Sequence, residues 1–183
     1  RKAKKDVPPK SSSMALSGKK ALVVDDNLRS LSSLTHMLQS ADMAVVSLDK
    51  PKAVLPELEK GLIDCAPFSV CIIDIHMPEM NGYELAAKIR ESNASLKNGP
   101  APFQDIGLIA VSSAMAGNLK EFEKAGFDDF LRKPIRKLRF FQSIENVLRK
   151  RKKRSLKLQK PVTQGQQKKH PECLKTEDAL RVL

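Results

Sequence analysis

Short apolar runs alternate along the middle of the chain with segments whose apolar residues recur every three or four positions. The runs are Ala21-Leu22-Val23-Val24, Met43 to Leu48, Val70 to Ile73, Ile106 to Val111 and Phe127 to Leu131, each of strand length and bounded by polar residues. The recurrent sets are Leu28, Leu31, Leu34 and Leu38; Leu55, Leu58 and Leu62; Leu85 and Ile89; Leu119, Phe122 and Ala125; and Leu138, Phe141, Ile144 and Leu148. Such spacings line one face of a helix. Five strands alternating with five helices predict an α/β fold, a doubly wound five-stranded parallel sheet with right-handed crossovers and helices on both faces. Runs such as Ala21 to Val24 are apolar throughout rather than alternating, as strands buried on both sides are. The domain is predicted over 17–152.

The flanks read differently. Residues 1–16, with Pro8-Pro9 and Ser11-Ser12-Ser13, form a predicted linker, and residues 153–183 form a basic one rich in Lys and Gln. Residues 19 to 150 carry 18 Lys and Arg against 17 Asp and Glu, so only +1 of the net charge of +12 lies in the domain. The basic character belongs to the flanks. The run Arg149-Lys150-Arg151-Lys152-Lys153-Arg154 has no interleaved aromatics and reads as a solvated helix end and linker, which disfavours nucleic acid as a partner. No stretch reaches the roughly 18 to 20 apolar residues of a membrane span, so no membrane contact is expected. Arg1-Lys2-Ala3-Lys4-Lys5 lacks the apolar segment of a signal peptide, and a cytoplasmic location follows as the expectation. Cys65, Cys71 and Cys173 show no metal or redox spacing, and Cys71, inside an apolar run, reads as a buried hydrophobe. His36, His76 and His170 are scattered and make no histidine-rich metal site.

In open parallel sheets the ligand site lies beyond the carboxyl ends of the strands. There this chain places Asp25-Asp26-Asn27 after the first strand, Asp74 after the third, Ser112-Ser113 after the fourth and Lys133-Pro134 after the fifth. If the first and third strands are neighbours, about 4.8 Å apart, Asp25, Asp26 and Asp74 converge. Three such carboxylates raise one another's pKa and call for positive charge. Oxygen donors without histidine suit Mg²⁺, while Lys133 and the Ser112 hydroxyl could orient a phosphoryl group. Any one aspartate after a strand is more often a helix cap or turn residue. Their joint placement at one edge carries the argument.

From residue 19 to 150 the chain resembles the response-regulator receiver domains. The resemblance rests on Leu22-Val23-Val24-Asp25-Asp26-Asn27, Ile73-Asp74-Ile75-His76-Met77-Pro78-Glu79-Met80-Asn81-Gly82, Ala110-Val111-Ser112-Ser113 and Gly126-Phe127-Asp128-Asp129-Phe130-Leu131-Arg132-Lys133-Pro134. It implies the flavodoxin-like strand order 2-1-3-4-5 and a phosphoacceptor role in a His-to-Asp phosphorelay. At matching positions it implies Asp74 as acceptor, Asp26 and Asp74 as Mg²⁺ ligands, Asp25 holding the metal through water, and His76 giving its backbone carbonyl. It further implies that Ser112, Ser113 and Lys133 bind phosphoryl oxygens, that Phe130 is the switch aromatic, and that Pro134 follows a cis bond. The implied donor is a histidine kinase or a histidine phosphotransfer domain, with other domains of the same chain as partners. Ser112 stands where Thr is common and Phe130 where Tyr is, and Asn93 to Asp105 lengthens the loop before the fourth strand.

Two other readings compete. A haloacid dehalogenase-type phosphatase would want Asp-x-Asp at the first strand, where Asn27 stands instead of the second Asp. A degenerate receiver holding nucleic acid through its basic tails would bind in a steeply salt-dependent way and ignore Asp74. Residues Thr176 to Leu183 rise from polar to apolar. They read either as the start of a second receiver near 180–183 in a hybrid histidine kinase, whose kinase core would precede Arg1, or as the short final helix of a stand-alone regulator.

Overall fold

The computed structural model describes residues 16–92, 103, 105–113 and 119–158. The strands are β1 (Lys20–Val24), β2 (Ala44–Leu48), β3 (Val70–Asp74), β4 (Gly107–Ser112) and β5 (Asp129–Arg132). The helices are α1 (Leu28–Gln39), α2 (Val54–Ile63) after a 3₁₀ turn at Pro51–Ala53, α3 (Gly82–Ser92), α4 (Leu119–Ala125) and α5 (Lys137–Leu158). All strand pairs are parallel, in the order β2-β1-β3-β4-β5. The predicted alternation and strand order are therefore present.

Side-chain alternation along each strand sends neighbouring residues to opposite faces. Ala21, Val23, Val70, Ile72, Ile109 and Val111 pack against Leu31, Leu34 and Leu38 of α1 and Phe140, Phe141, Ile144 and Val147 of α5. Leu22, Val24, Cys71, Ile73 and Leu108 face the other way, onto Val54 and Leu58 of α2, Leu85, Ala86 and Ile89 of α3, and Ala125 of α4. Every residue of β3 and β4 is buried, as the uninterrupted apolar runs require of central strands, whereas the edge strand β2 is partly exposed. Cys71 is buried and free, and burial pushes its thiol pKa up, which keeps it in the inert protonated form.

Three boundaries differ from the sequence pattern. Phe127 lies before β5, because its ring packs on Tyr83 and Phe122 with centroids 6.2 and 6.1 Å away; its apolarity serves that aromatic cluster and not the sheet. The boundary drawn at 152 falls inside α5, which continues to Leu158. Leu16, the last residue of the predicted N-terminal linker, is 1% exposed and belongs to the α1/α5 core. Residues 1–15 and 159–183, with the candidate second entry at 180–183, lie outside the described residues, as do residues 93–102 of the long loop. Among the described residues no helix is long and apolar enough to cross a membrane.

Candidate functional site

The ladder of the sheet continues just past three strand ends and fixes the backbone there. Asp25 N–H donates to Leu48 O (3.2 Å), Ile75 N–H to Val111 O (2.9 Å), and Lys133 N–H to Ser112 O (2.9 Å). Because Val24 is paired with Ile73 and Ser112 with Arg132, the residues one step further on, Asp25, Asp74 and Lys133, emerge at one edge.

There they meet. The Lys133 ammonium lies 2.8 Å from Asp25 Oδ2 and 3.0 Å from Asp74 Oδ1. Asp25 is fully buried, Asp74 is 5% exposed and Ser112 is 4% exposed. Asp25, Asp26 and Asp74 each offer a carboxylate oxygen within 4.8 Å of the others, with Asp26 on the exposed side of the group. Three carboxylates and one ammonium leave an excess of negative charge. The donor set is oxygen alone, which suits a hard divalent cation and could hold one.

The electrostatics follow from this crowding. Burial pushes the Asp74 carboxyl up from its ordinary pKa, the hydrogen bond and charge of Lys133 pull it back in part, and Asp25 and Asp26 raise it again. For Lys133, burial alone would lower the pKa, but its bonds to Asp25 and Asp74 and their charges more than reverse this, so it ends raised and stays charged.

The segments around these groups are locally tied. Asn27 caps α1 by accepting from the backbone N–H of Arg29 (3.0 Å) and Ser30 (3.2 Å), and its own N–H donates to Asp25 Oδ1 (2.9 Å). Asn81 accepts from Glu84 N–H (2.9 Å) at the start of α3. Gly82 must lack a side chain, since a Cβ there would lie 2.5 Å from Asp74 O and 2.9 Å from Ile75 Cα, both backbone atoms. Gly82→Ala is accordingly expected to displace the end of β3 and to cost about 1–3 kcal/mol of stability, read as a lowered thermal unfolding midpoint.

Lys133-Pro134 is cis, as anticipated. Phe130 is half-buried and packs on Phe122 with centroids 4.9 Å apart, in a cluster with Ile75 and Ala110. Ser113 and His76 are exposed. One residue that the sequence reading passed over joins the site: Ser30, whose hydroxyl donates to Asp25 Oδ2. Its signal was slight, a serine at the third helical position after an Asn cap.

Comparison with known proteins points to one family. The family model described as response regulator receiver domain matches residues 21–145. The virulence sensor protein BvgS of Bordetella bronchiseptica is 34% identical over 139 residues, 73% of this chain and 11% of that protein. The hybrid signal transduction histidine kinase L of Dictyostelium discoideum is 32% identical over 120 residues, 64% of this chain and 7% of that protein. The chain thus spans a small part of these relatives. Among solved structures, the receiver domain of the histidine kinase CKI1 of Arabidopsis thaliana, complexed with Mg²⁺ and BeF₃⁻, is 30% identical at a TM-score of 0.60, with 78% of this chain and 95% of that one covered. The Vibrio cholerae chemotaxis protein CheY4, 23% identical, shares the fold at a TM-score of 0.61, with 72% of this chain and all of that one covered. The chain belongs to the response regulator receiver domains of two-component signalling.

Proposed function

We propose that this domain takes a phosphoryl group from a phosphohistidine onto the Asp74 carboxylate with Mg²⁺ and passes the change to its surface. The observation that carries the reading is the meeting of Lys133 with Asp74 and Asp25, at 3.0 and 2.8 Å, in a group of three converging carboxylates. Asp74 and Asp26 would hold the ion directly, Asp25 through water, and His76 through its backbone carbonyl. Bound there, Mg²⁺ supplies positive charge to the oxygens of the transferring group.

In the transfer, an oxygen of Asp74 forms the bond to phosphorus as the phosphorus–nitrogen bond of the donor breaks, and the imidazole nitrogen keeps the electron pair. Lys133 neutralises charge on the phosphoryl oxygens, and burial of Asp74 excludes water from the nucleophile. The domain catalyses its own modification. Ser112 and Ser113 would bind the phosphoryl oxygens, and movement of Ser112 would open space for Phe130, shifting the population of the α4–β5–α5 face. Pro134 holds the turn that presents Lys133.

The donor is a histidine kinase or a histidine phosphotransfer domain. The histidine kinases among the relatives support a parent protein of the hybrid histidine kinase type, with other domains of the same polypeptide as partners. The test is incubation with acetyl phosphate or a phosphorylated donor histidine, followed by borohydride trapping and mass spectrometry. The expected result is one labelled peptide, carrying Asp74, formed only when a divalent cation is present. Labelling elsewhere, or undiminished labelling in chelator, would count against the reading.

A further inference from the structure

Asp25 has no exposure to solvent, yet its carboxylate has to keep one orientation beside two other carboxylates that repel it. Its acceptor positions show how that is done. Oδ1 takes the backbone N–H of Asn27, and Oδ2 takes both the Lys133 ammonium and the Ser30 hydroxyl. Each carboxylate oxygen offers about two acceptor sites. These three donors therefore fill both sites on Oδ2 and one on Oδ1, leaving a single acceptor direction for anything the cluster binds.

Lys133 cannot fix that orientation alone, because it is shared with Asp74. Ser30 can. It is half-buried in the first turn of α1, and its backbone N–H is held by the Asn27 cap at 3.2 Å. A serine on a helix ordinarily returns its hydroxyl to a carbonyl one turn back. Here the hydroxyl reaches past the cap to the strand end, in the direction a capping-box side chain takes, but with Asp25 as its target. We infer that Ser30 is a positioning residue of the metal site, which holds the Asp25 carboxylate in the rotamer that leaves one lone pair facing the cation.

This inference rests on the proposed Mg²⁺ function and is tested apart from it by measuring Mg²⁺ binding in the unphosphorylated domain. Removal of a group that orients a ligand commonly weakens metal binding by 10- to 100-fold; Ser30 acts through a carboxylate that meets the ion through water, so Ser30→Ala is expected to raise the Mg²⁺ dissociation constant about tenfold. Ser30→Thr, which keeps the hydroxyl, is expected to restore the parent value. Ser30→Cys, nearly isosteric with a weak S–H donor, is expected to fall between. Ser33→Ala on the exposed face of α1 serves as the reference and leaves binding unchanged.

Isothermal titration gives the affinities, and thermal unfolding in chelator separates lost binding from lost folding. If Ser30→Ala does not fold, Ser30→Cys carries the comparison. A parental Mg²⁺ affinity in Ser30→Ala, or in Ser30→Cys where that variant stands in, overturns the inference, and so does a Ser30→Thr variant as weak as Ser30→Ala. In those cases the functional reading stands; a parent domain that binds no Mg²⁺ at all ends both.

Discussion

Asp74→Asn is expected to reduce phosphoryl labelling to background and, in chelator at neutral pH, to make the domain more stable than the parent. Loss of label follows from loss of the nucleophile: a carboxamide of the same shape offers no anionic oxygen to phosphorus. The gain in stability follows from the environment of the carboxylate. Burial raises the Asp74 pKa, with Asp25 and Asp26 adding to the effect against the opposing pull of Lys133. A carboxyl whose folded-state pKa lies above its unfolded value makes its charged form cost stability, because the unfolded chain releases that proton more readily.

The cost is present above the raised pKa and disappears as pH falls through it, when the folded protein takes up the proton. The stability difference between Asp74→Asn and the parent should therefore be largest near neutrality and shrink on acidification. Lys133, with its pKa raised, works in the opposite sense: its contribution is complete below its unfolded pKa and is lost only as pH rises through the folded one. Denaturant unfolding at a series of pH values, in chelator, measures both. Parallel curves for variant and parent would remove the electrostatic argument, and a variant less stable at neutral pH would reverse it.

A site that costs stability is what local pattern reads well, because its parts break the pattern. Asp25-Asp26, Asp74 and Lys133 stand out as charges at the ends of apolar runs, and the parallel sheet then has few ways to arrange those ends. Hence the acidic cluster and the lysine beside it were legible from the residues once the first and third strands are neighbours, and the strand order that makes them so came from the family resemblance. The central strands were legible to within a residue because β3 and β4 are buried on both faces and are apolar up to their last residues, Asp74 and Ser112, which face the site.

Phe127 was misassigned to a strand for a related reason: apolarity marks burial, and burial among aromatic rings looks the same in one dimension as burial in a sheet. The length of α5 was hidden by its composition. Arg149 to Arg154 places like charges at neighbouring helical positions, which destabilises an isolated helix and reads as linker. Ser30 was hidden because its partner is chosen by the geometry of the cap and not by any period. Least legible were contacts between distant charged residues that serve the frame.

Among the described residues, the group around Asp128 is of this kind. Asp128 precedes β5 and is 9% exposed, and its carboxylate accepts from Leu108 N–H (2.9 Å), from Arg90 of α3 (3.1 Å) and from Arg151 of α5 (2.6 and 3.0 Å). Arg90 also donates to the carbonyls of Gly126 and Ile106. Its pKa is pushed down to about 10 by burial first and by Arg151 next, which still leaves it charged at neutral pH. Two guanidinium groups thus share one carboxylate, and removing that carboxylate leaves both facing each other with little water to screen them.

Breaking a buried pair by deleting one partner costs about 3–5 kcal/mol. Arg90 and Arg151 keep partial solvent contact, which places Asp128→Ala near the lower end, about 3 kcal/mol, or roughly 6–12 °C in the thermal midpoint of a chain of this size. Arg151→Met is expected to cost less, because Asp128 keeps Arg90 and the Leu108 N–H and the repulsion between arginines is relieved. It should also loosen the end of α5, seen as faster amide exchange after residue 149. The double variant Asp128→Ala with Arg151→Met should then recover part of the loss. If the two single effects simply add, Arg151 is not held by Asp128, and α5 is carried to Leu158 by something other than this ion pair.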